Sequence, residues 1–345
     1  MNLQMQRTTV LLLFGGESTE HEVSISSARN VYAAMDDTKF DVVLCFIDKN
    51  GRWWLLEEFA LTIDTHQSPQ LEAALGGKSF LTLPGNKVIT PDVIFPVLHG
   101  RNGEDGSVQG LAQLLHIPIV GCDVTASALA MDKIATKQIL EANGIDIVPY
   151  ETHRKGELAP DIAKINMTLG SPLFVKPARS GSSVGVSKVY GNEKFTEALE
   201  KAHQHSDVVL IERAITAREL EVAVLGNPPH HKVSGVGEIK ASGDFYSYES
   251  KYDLTSTSSV IIPAEIEDEL KSKVTELAGR VYEILGCTGM ARVDFFLSDD
   301  QKLYVNEVNT IPGFTNISMY PKLWREEGVS YLELIEELIA SALKA

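Results

Sequence analysis

The chain has 345 residues, with 31 Lys and Arg against 47 Asp and Glu, a formal charge of −16. At about 150 residues per domain it is long enough for two or three domains, and its 44% hydrophobic content and ordinary Gly and Pro usage exclude collagenous and disordered classes. An acidic chain without a Lys/Arg run is repelled by nucleic acid and by anionic membrane surfaces, so neither is expected as a partner. The longest early apolar run, 10–14, is too short for a signal peptide or a membrane span. Cys45, Cys122 and Cys287 lie far apart with no CxxC pair. That spacing argues against a disulfide framework or a zinc site and suits a reducing cytoplasm.

Apolar runs at 8–14, 41–47, 92–98 and 117–120 read as buried strands, separated by helical or polar stretches such as 24–35 and 107–116. This alternation predicts a parallel α/β sheet in a first domain, 1–121. Gly15-Gly16 and His99-Gly100 follow two of the strands, and ligands of such sheets gather at strand carboxyl ends. A helix is predicted over 127–143, stopped by Gly144. Strands at 173–177, 184–190 and 208–211 and a helix at 193–203 make a second domain, 122–214. The third, 215–345, has a strand at 219–225, a helix at 265–285, a hairpin at 290–310 and a closing helix at 331–343. The polar, tyrosine-bearing stretch 243–259 reads as a lid loop.

The hairpin carries the strongest chemical signal. Strand side chains alternate, so Arg292 and Asp294 share one face, as do Glu307 and Asn309. A two-residue turn at Asp300-Gln301 sets Asp294 opposite Glu307 and Arg292 opposite Asn309. Opposed carboxylates repel. Two carboxylates and an amide supply hard oxygen ligands that suit Mg²⁺ in contact with phosphate. The plain alternative is a solvent-facing hairpin with incidental charges.

The turn Lys176-Pro-Ala-Arg-Ser-Gly-Ser-Ser-Val-Gly185 joins two apolar strands and could wrap a phosphate, or could be an ordinary hairpin connection. It is neither a P-loop nor GxGxxG. Lys133 and Lys137 stand one helical turn apart, which by itself suggests a solvated face. In Gly15-Gly-Glu-Ser-Thr-Glu-His-Glu-Val-Ser24, the acids either favour a helix N-terminus or, through Glu20, capture a substrate ammonium. His99, alone in a strand-end loop, is by type more often structural than catalytic.

Taken together these residues resemble the D-alanine–D-alanine ligase family of the ATP-grasp superfamily. The matching segments, in order, are Gly15–Ser24, His99–Gly106, Met131–Lys133, Val175–Gly185, Glu249–Tyr252, Ala291–Asp294 and Asn306–Gly313. The resemblance implies a three-domain fold, with ATP held between the second and third domains and two D-alanine molecules joined for peptidoglycan synthesis. The carboxylate of the first D-alanine attacks the γ-phosphate; the amine of the second attacks the resulting acyl phosphate.

It also implies roles. Asp294, Glu307 and Asn309 would be Mg²⁺ ligands, for two ions, with Mn²⁺ able to substitute. Lys133, Lys176 and Ser183 would contact nucleotide phosphates, Glu212, Ala214 and Ile215 the adenine, and Glu219 the ribose. Ala214 replaces the bulky aromatic residue of many relatives. Glu20 would bind the first substrate's ammonium, linked to Ser182 and Tyr252, with His99 near that substrate. Lys251 and Ser318 would hold the second substrate and the phosphate. Arg292 and the Gly313 N–H would stabilise the tetrahedral oxyanion. The lysines, Arg292 and Mg²⁺ would form a positive cleft in an acidic body, insulated from distant charge by screening over roughly 8 Å. The family also implies a homodimer. Two alternatives stand beside this reading. One is an ATP-grasp carboxylate–amine ligase of other amino-acid specificity. The other is a non-catalytic ATP-binding regulator, whose signature would be loss of Asp294, Glu307 or Arg292.

Overall fold

The computed structural model describes residues 7–181, 184–191, 194–240 and 259–344. The expected lid, apart from Ser259, and Ser182, Ser183, Lys251 and Tyr252 lie outside the described residues.

The first sheet has seven strands in the order β6-β5-β4-β3-β2-β1-β7. Strand β1 (Thr8–Gly15) leads through helix α1 (His21–Ala34) to β2 (Phe40–Ile47). Then come β3 (Trp53–Leu56), β4 (Gln70–Ala74), β5 (Ser79–Leu83), β6 (Val88–Ile89) and β7 (Val93–Val97). β1 pairs in parallel with β2 and β7, whereas β3 to β6 are antiparallel, so the expected parallel sheet is a mixed one. The antiparallel strands are short, with two to five residues each, and leave no long apolar run to read. The expected strand at 117–120 is only a bridge, Ile94 to Ile119.

β1 is apolar throughout because both its faces are covered. Val10, Leu12 and Phe14 meet one core, and Leu11 and Leu13 meet another on the opposite face. The second of these cores includes Val108, Ala112 and Leu115 of α2 (Ser107–Leu115).

The expected single helix at 127–143 is two, α3 (Val124–Met131) and α4 (Lys133–Ala142). Asp132 breaks it. Its carboxylate accepts the N–H groups of Ile134 and Ala135, capping α4. The four-stranded sheet, β10-β9-β11-β8, follows. It consists of β8 (Tyr150–Arg154), β9 (Leu173–Pro177), β10 (Ser187–Val189) and β11 (Val208–Arg213), with helices α5 (Ile162–Leu169) and α6 (Phe195–His203).

The third sheet runs β14-β13-β12-β15-β16. Its members are β12 (Ala217–Leu225), β13 (Lys232–Lys240), β14 (Ser259–Ile261), β15 (Met290–Ser298) and β16 (Leu303–Asn309). Helix α7 (Asp268–Ile284) covers one face, and α8 (Met319–Glu326) and α9 (Tyr331–Leu343) end the chain. The cores cross the expected boundaries. Residues of α3 and α4 share a core with Val222, Val293 and α7, while Leu334, Leu338 and Ile339 of α9 join Val10 and Phe95 of the first sheet.

Alternation in the third sheet positions the site. Leu220, Val222 and Val224 of β12 face the core under α7. The opposite face carries Glu219 and Glu221, then Ala223 and Leu225, the last two packed in the core beneath the first sheet. One face is thus polar at one end and apolar at the other.

Candidate active site

A cleft open to solvent lies between that polar face and the four-stranded sheet. From the four-stranded sheet come Lys176, Leu210 and Glu212; Leu173, Val175, Val209 and Ile211, one step away in the alternation, fill that sheet's own core. From the third sheet come Glu219, Glu221, Arg292, Asp294 and Glu307.

The hairpin pairing expected from sequence is present: Asp294 lies opposite Glu307 and Arg292 opposite Asn309. The turn differs. Gln301 has φ 61 and donates its N–H to Ser298 O, and the Ser298 N–H donates to Lys302 O, closing a three-residue turn. That turn pairs Leu297 with Leu303 and Phe295 with Val305; a bulge at Asn306 then shifts the register by one and brings Glu307 to Asp294.

Arg292 balances the acids. Its Nε and one terminal nitrogen donate to the two Asp294 carboxylate oxygens, each at 2.7 Å, and its Nε stands 3.0 Å from Glu221. Asn309 donates its side-chain amide to Asp294 at 3.0 Å. Asp294, Glu221 and nearby Glu307 raise the Arg292 pKa far above its ordinary value, against the opposing effect of burial. Among the described residues no group of three or more His, Cys, Asp or Glu side chains is arranged to hold a metal by itself. Mg²⁺ takes one or two carboxylates and completes its shell with water and substrate phosphate. The donor set Asp294, Glu307 and Asn309 is of that kind.

Lys133, the first residue of α4, ties down the Gly/Ser-rich turn. Its backbone N–H donates to Ala178 O at 3.1 Å and its ammonium to Ser180 O at 2.6 Å. Lys137 is not on a solvated face. It is buried and pairs with Glu212 at 2.6 Å, and Glu212 also pairs with Lys176. Glu212 is pushed down to about 2 because the two lysines outweigh burial. Ala214 and Ile215 lie between β11 and β12, outside the cavity lining, and the Ala214 N–H is committed to Pro172 O.

A second cavity, also open to solvent, shares Glu221, Arg292 and Glu307 with the first. It is lined by Glu20, His99, Glu104, Asn309, Gly313 and Ser318. Gly15 makes the turn from β1 toward Glu20: its φ is +94, and a Cβ there would stand 2.2 Å from Ile47 O. His99 is buried. Its Nδ1 lies 3.2 Å from Ile311 O and its Nε2 3.4 Å from the Ser27 hydroxyl, so Nδ1 carries the proton and Nε2 accepts. Burial lowers its pKa. Gly313 approaches Ser318 closely; a Cβ at 313 would lie 2.7 Å from the Ser318 hydroxyl.

Sequence reasoning missed three charged groups here: Lys137, Glu104 and Glu221. Glu104 accepts the Gly100 N–H at 2.6 Å, and burial together with neighbouring Glu20 pushes it up to about 8. It sits inside the loop His99–Gly106, three residues or more from any periodic element, so only its neighbours in space reveal it.

Two family models match the chain, "D-ala D-ala ligase N-terminus" over residues 9–122 and "D-ala D-ala ligase C-terminus" over residues 139–340. The chain belongs to the D-alanine–D-alanine ligase family. It is 43% identical to a D-alanine–D-alanine ligase A of Escherichia coli O6:H1, across 99% of this chain and 97% of that one. Among solved structures it superposes on a D-alanine–D-alanine ligase of Coxiella burnetii with TM-score 0.88 and 34% identity, covering 98% and 94% of the two chains. The VanG D-Ala:D-Ser ligase of Enterococcus faecalis gives TM-score 0.89 and 36% identity, covering 98% and 100%. Family membership makes the chain an ATP-dependent ligase. The two fold matches are equally good, so the fold alone does not choose the second substrate. No described helix is long and apolar enough to cross a membrane.

Proposed function

We propose that the protein joins two D-alanine molecules to D-alanyl-D-alanine, consuming ATP, for peptidoglycan precursor synthesis. One observation carries this reading. A cavity lined by lysines and a cavity lined by carboxylates and a neutral histidine meet at a shared wall of Arg292, Glu221 and Glu307. The first suits a polyphosphate, the second an amino acid with an ammonium and a carboxylate.

Position in the two cavities supports some of the roles, and the family pattern supplies the others. Lys133 and Lys176 hold nucleotide phosphates, with Ser183 assigned to the same task by the family pattern; Glu219 takes the ribose. Glu212 and the backbone around Ala214 and Ile215 serve the adenine. Glu20 takes the first ammonium, within reach of Gly100 and Gly181. Ser182, Tyr252 and Lys251 are assigned by the family pattern alone. Asp294, Glu307 and Asn309 would hold Mg²⁺, which neutralises phosphate charge when bound; two ions and replacement by Mn²⁺ belong to this reading. Phosphoryl transfer asks for positioning and charge neutralisation, which Lys133, Lys176 and a cation held on this wall would supply.

The first D-alanine's carboxylate oxygen forms a bond to the γ-phosphorus and ADP leaves. The second D-alanine, held near Ser318, brings its deprotonated amine to the acyl carbon. Arg292 and the Gly313 N–H stabilise the developing oxyanion, and phosphate departs with the original carboxylate oxygen. D-alanine labelled with ¹⁸O in its carboxylate should therefore give labelled inorganic phosphate; unlabelled phosphate alongside dipeptide would refute the acyl-phosphate route.

The division into 1–121, 122–214 and 215–345 is part of the proposal, supported by one sheet in each span. So are a homodimer, checked by light scattering, and a cytoplasmic location, which ATP consumption and three free buried cysteines favour.

A further inference from the structure

Two lysines from different elements share one carboxylate in the wall of the lysine-lined cavity. Lys137 lies on α4, Lys176 on β9 and Glu212 on β11. The Lys137 ammonium stands 2.6 Å from one Glu212 oxygen, and Lys176 pairs with the other. The side chains are exposed by 3% for Lys137, 2% for Glu212 and 14% for Lys176. All three line the cavity wall, Lys137 and Glu212 nearly buried in it and Lys176 the most exposed of the three.

Other contacts fix Lys137. It donates to Val148 O at 3.3 Å and lies 5.6 Å from the Tyr150 ring centre, both on the segment entering the four-stranded sheet. A buried carboxylate without a cation is strongly unfavourable. If Lys176 were the sole counter-ion of Glu212, turning it toward a phosphate would leave that carboxylate stranded. The second lysine removes this cost.

We infer that Lys137 is a positioning residue: it keeps Glu212 compensated so that Lys176 is available to the phosphates of the nucleotide. The inference rests on the reading of this cavity as the nucleotide site. It gives Lys137 no direct contact with the nucleotide. It also explains a lysine at an inward-facing helical position, where an apolar residue would otherwise fill the space.

The test compares ATP with adenosine, which lacks phosphates, by calorimetry at one pH and ionic strength. In Lys137→Met, ATP affinity should fall about tenfold or more, the scale of one lost charge-assisted contact, while adenosine affinity stays within about twofold. In turnover the loss should fall on KM for ATP more than on kcat. In a Glu212→Gln background, adding Lys137→Met should change ATP affinity by less than about twofold, because no carboxylate then holds Lys176. This second comparison decides the matter even if Lys137→Met alone does not fold. Equal losses for ATP and adenosine would show a role in pocket shape and overturn the inference. So would unchanged ATP affinity, or a loss for ATP that persists in the Glu212→Gln background, which would mean direct phosphate contact. Wild-type protein that binds no ATP would overturn the nucleotide reading itself, a separate result visible before any variant is made.

Discussion

Arg292 grips Asp294, two residues further along the same strand, through two hydrogen bonds of 2.7 Å, and reaches Glu221 on the neighbouring strand at 3.0 Å. One cation thereby serves the acids in the wall between the two cavities. Replacing it by Ala should leave buried carboxylates uncompensated and cost stability of about 3 kcal/mol or more. Activity should fall by at least about a hundredfold, the scale of a lost oxyanion donor. Arg292→Lys keeps the charge but not the forked geometry, so it should regain much of the stability and little of the rate. Denaturant midpoints and dipeptide formation measure the two effects.

Glu104 and His99 make opposite contributions to pH dependence. The Glu104 carboxyl is raised from 4.5 to about 8, so the folded state holds its proton more tightly than the unfolded chain. Its stabilising contribution is complete below about pH 4.5 and is lost as pH rises through about 8. His99 is lowered, so its cost appears as pH falls through its unfolded value near 6.5. Stability of the wild type relative to Glu104→Gln should decline from pH 5 to 8; a flat difference would contradict the assignment. An ammonium entering this cavity favours ionised Glu104. D-alanine binding near pH 7 should release a proton, seen as a calorimetric heat that varies with the buffer.

The pairing of Asp294 with Glu307 predicts a strict divalent-cation requirement. Chelation should abolish dipeptide formation and added Mg²⁺ should restore it. Glu307→Gln should raise the Mg²⁺ concentration for half-maximal rate by about tenfold, with the fold retained by circular dichroism. A rate insensitive to chelator would remove the metal from the account.

Gly313 tests the close approach to Ser318. A methyl group at 313 would stand 2.7 Å from the Ser318 hydroxyl. Gly313→Ala should therefore slow turnover by about tenfold or more through misplacement of the second substrate, while stability changes by about 1 kcal/mol at most. Wild-type kinetics in this variant would show that the contact relaxes freely.

Much of the site was legible because its residues lie on strands, where a period of two assigns faces. Arg292 and Asp294 declared their common face, as did Glu307 and Asn309. The hairpin shows the limit of that reasoning. A two-residue turn was expected; the real turn has three residues, and the bulge at Asn306 cancels the difference. The break was visible in the sequence, since apolar Val305 and Val308 are three apart rather than two.

Lys137 was misread for another reason. A lysine one turn from another on a helix looks solvated, and only the buried Glu212, 75 positions later in the chain, makes burial tolerable. Cys122 and Cys287 likewise looked remote, yet both thiols fill one core, and a hydrogen bond with Cys122 together with burial raises Cys287. The strands from 53 to 89 were missed because each is too short for periodicity to show, and their pairing is set by the turns between them. Asp132 was legible as a cap in retrospect, but the apolar spacing on both sides of it reads as one continuous helix.

In the proposed reaction the two cavities hold ATP and D-alanine on either side of Arg292. Purified protein incubated with ATP, Mg²⁺ and one of D-alanine, D-serine, D-lactate or L-alanine, the last three each also mixed with D-alanine, tests it most directly. Phosphate release and product mass are read together. D-alanyl-D-alanine should form with one phosphate released per dipeptide, with no reaction of L-alanine alone and no preference for D-serine or D-lactate as second substrate. Absence of a D-specific dipeptide, or a mixed product that dominates at neutral pH, would contradict it.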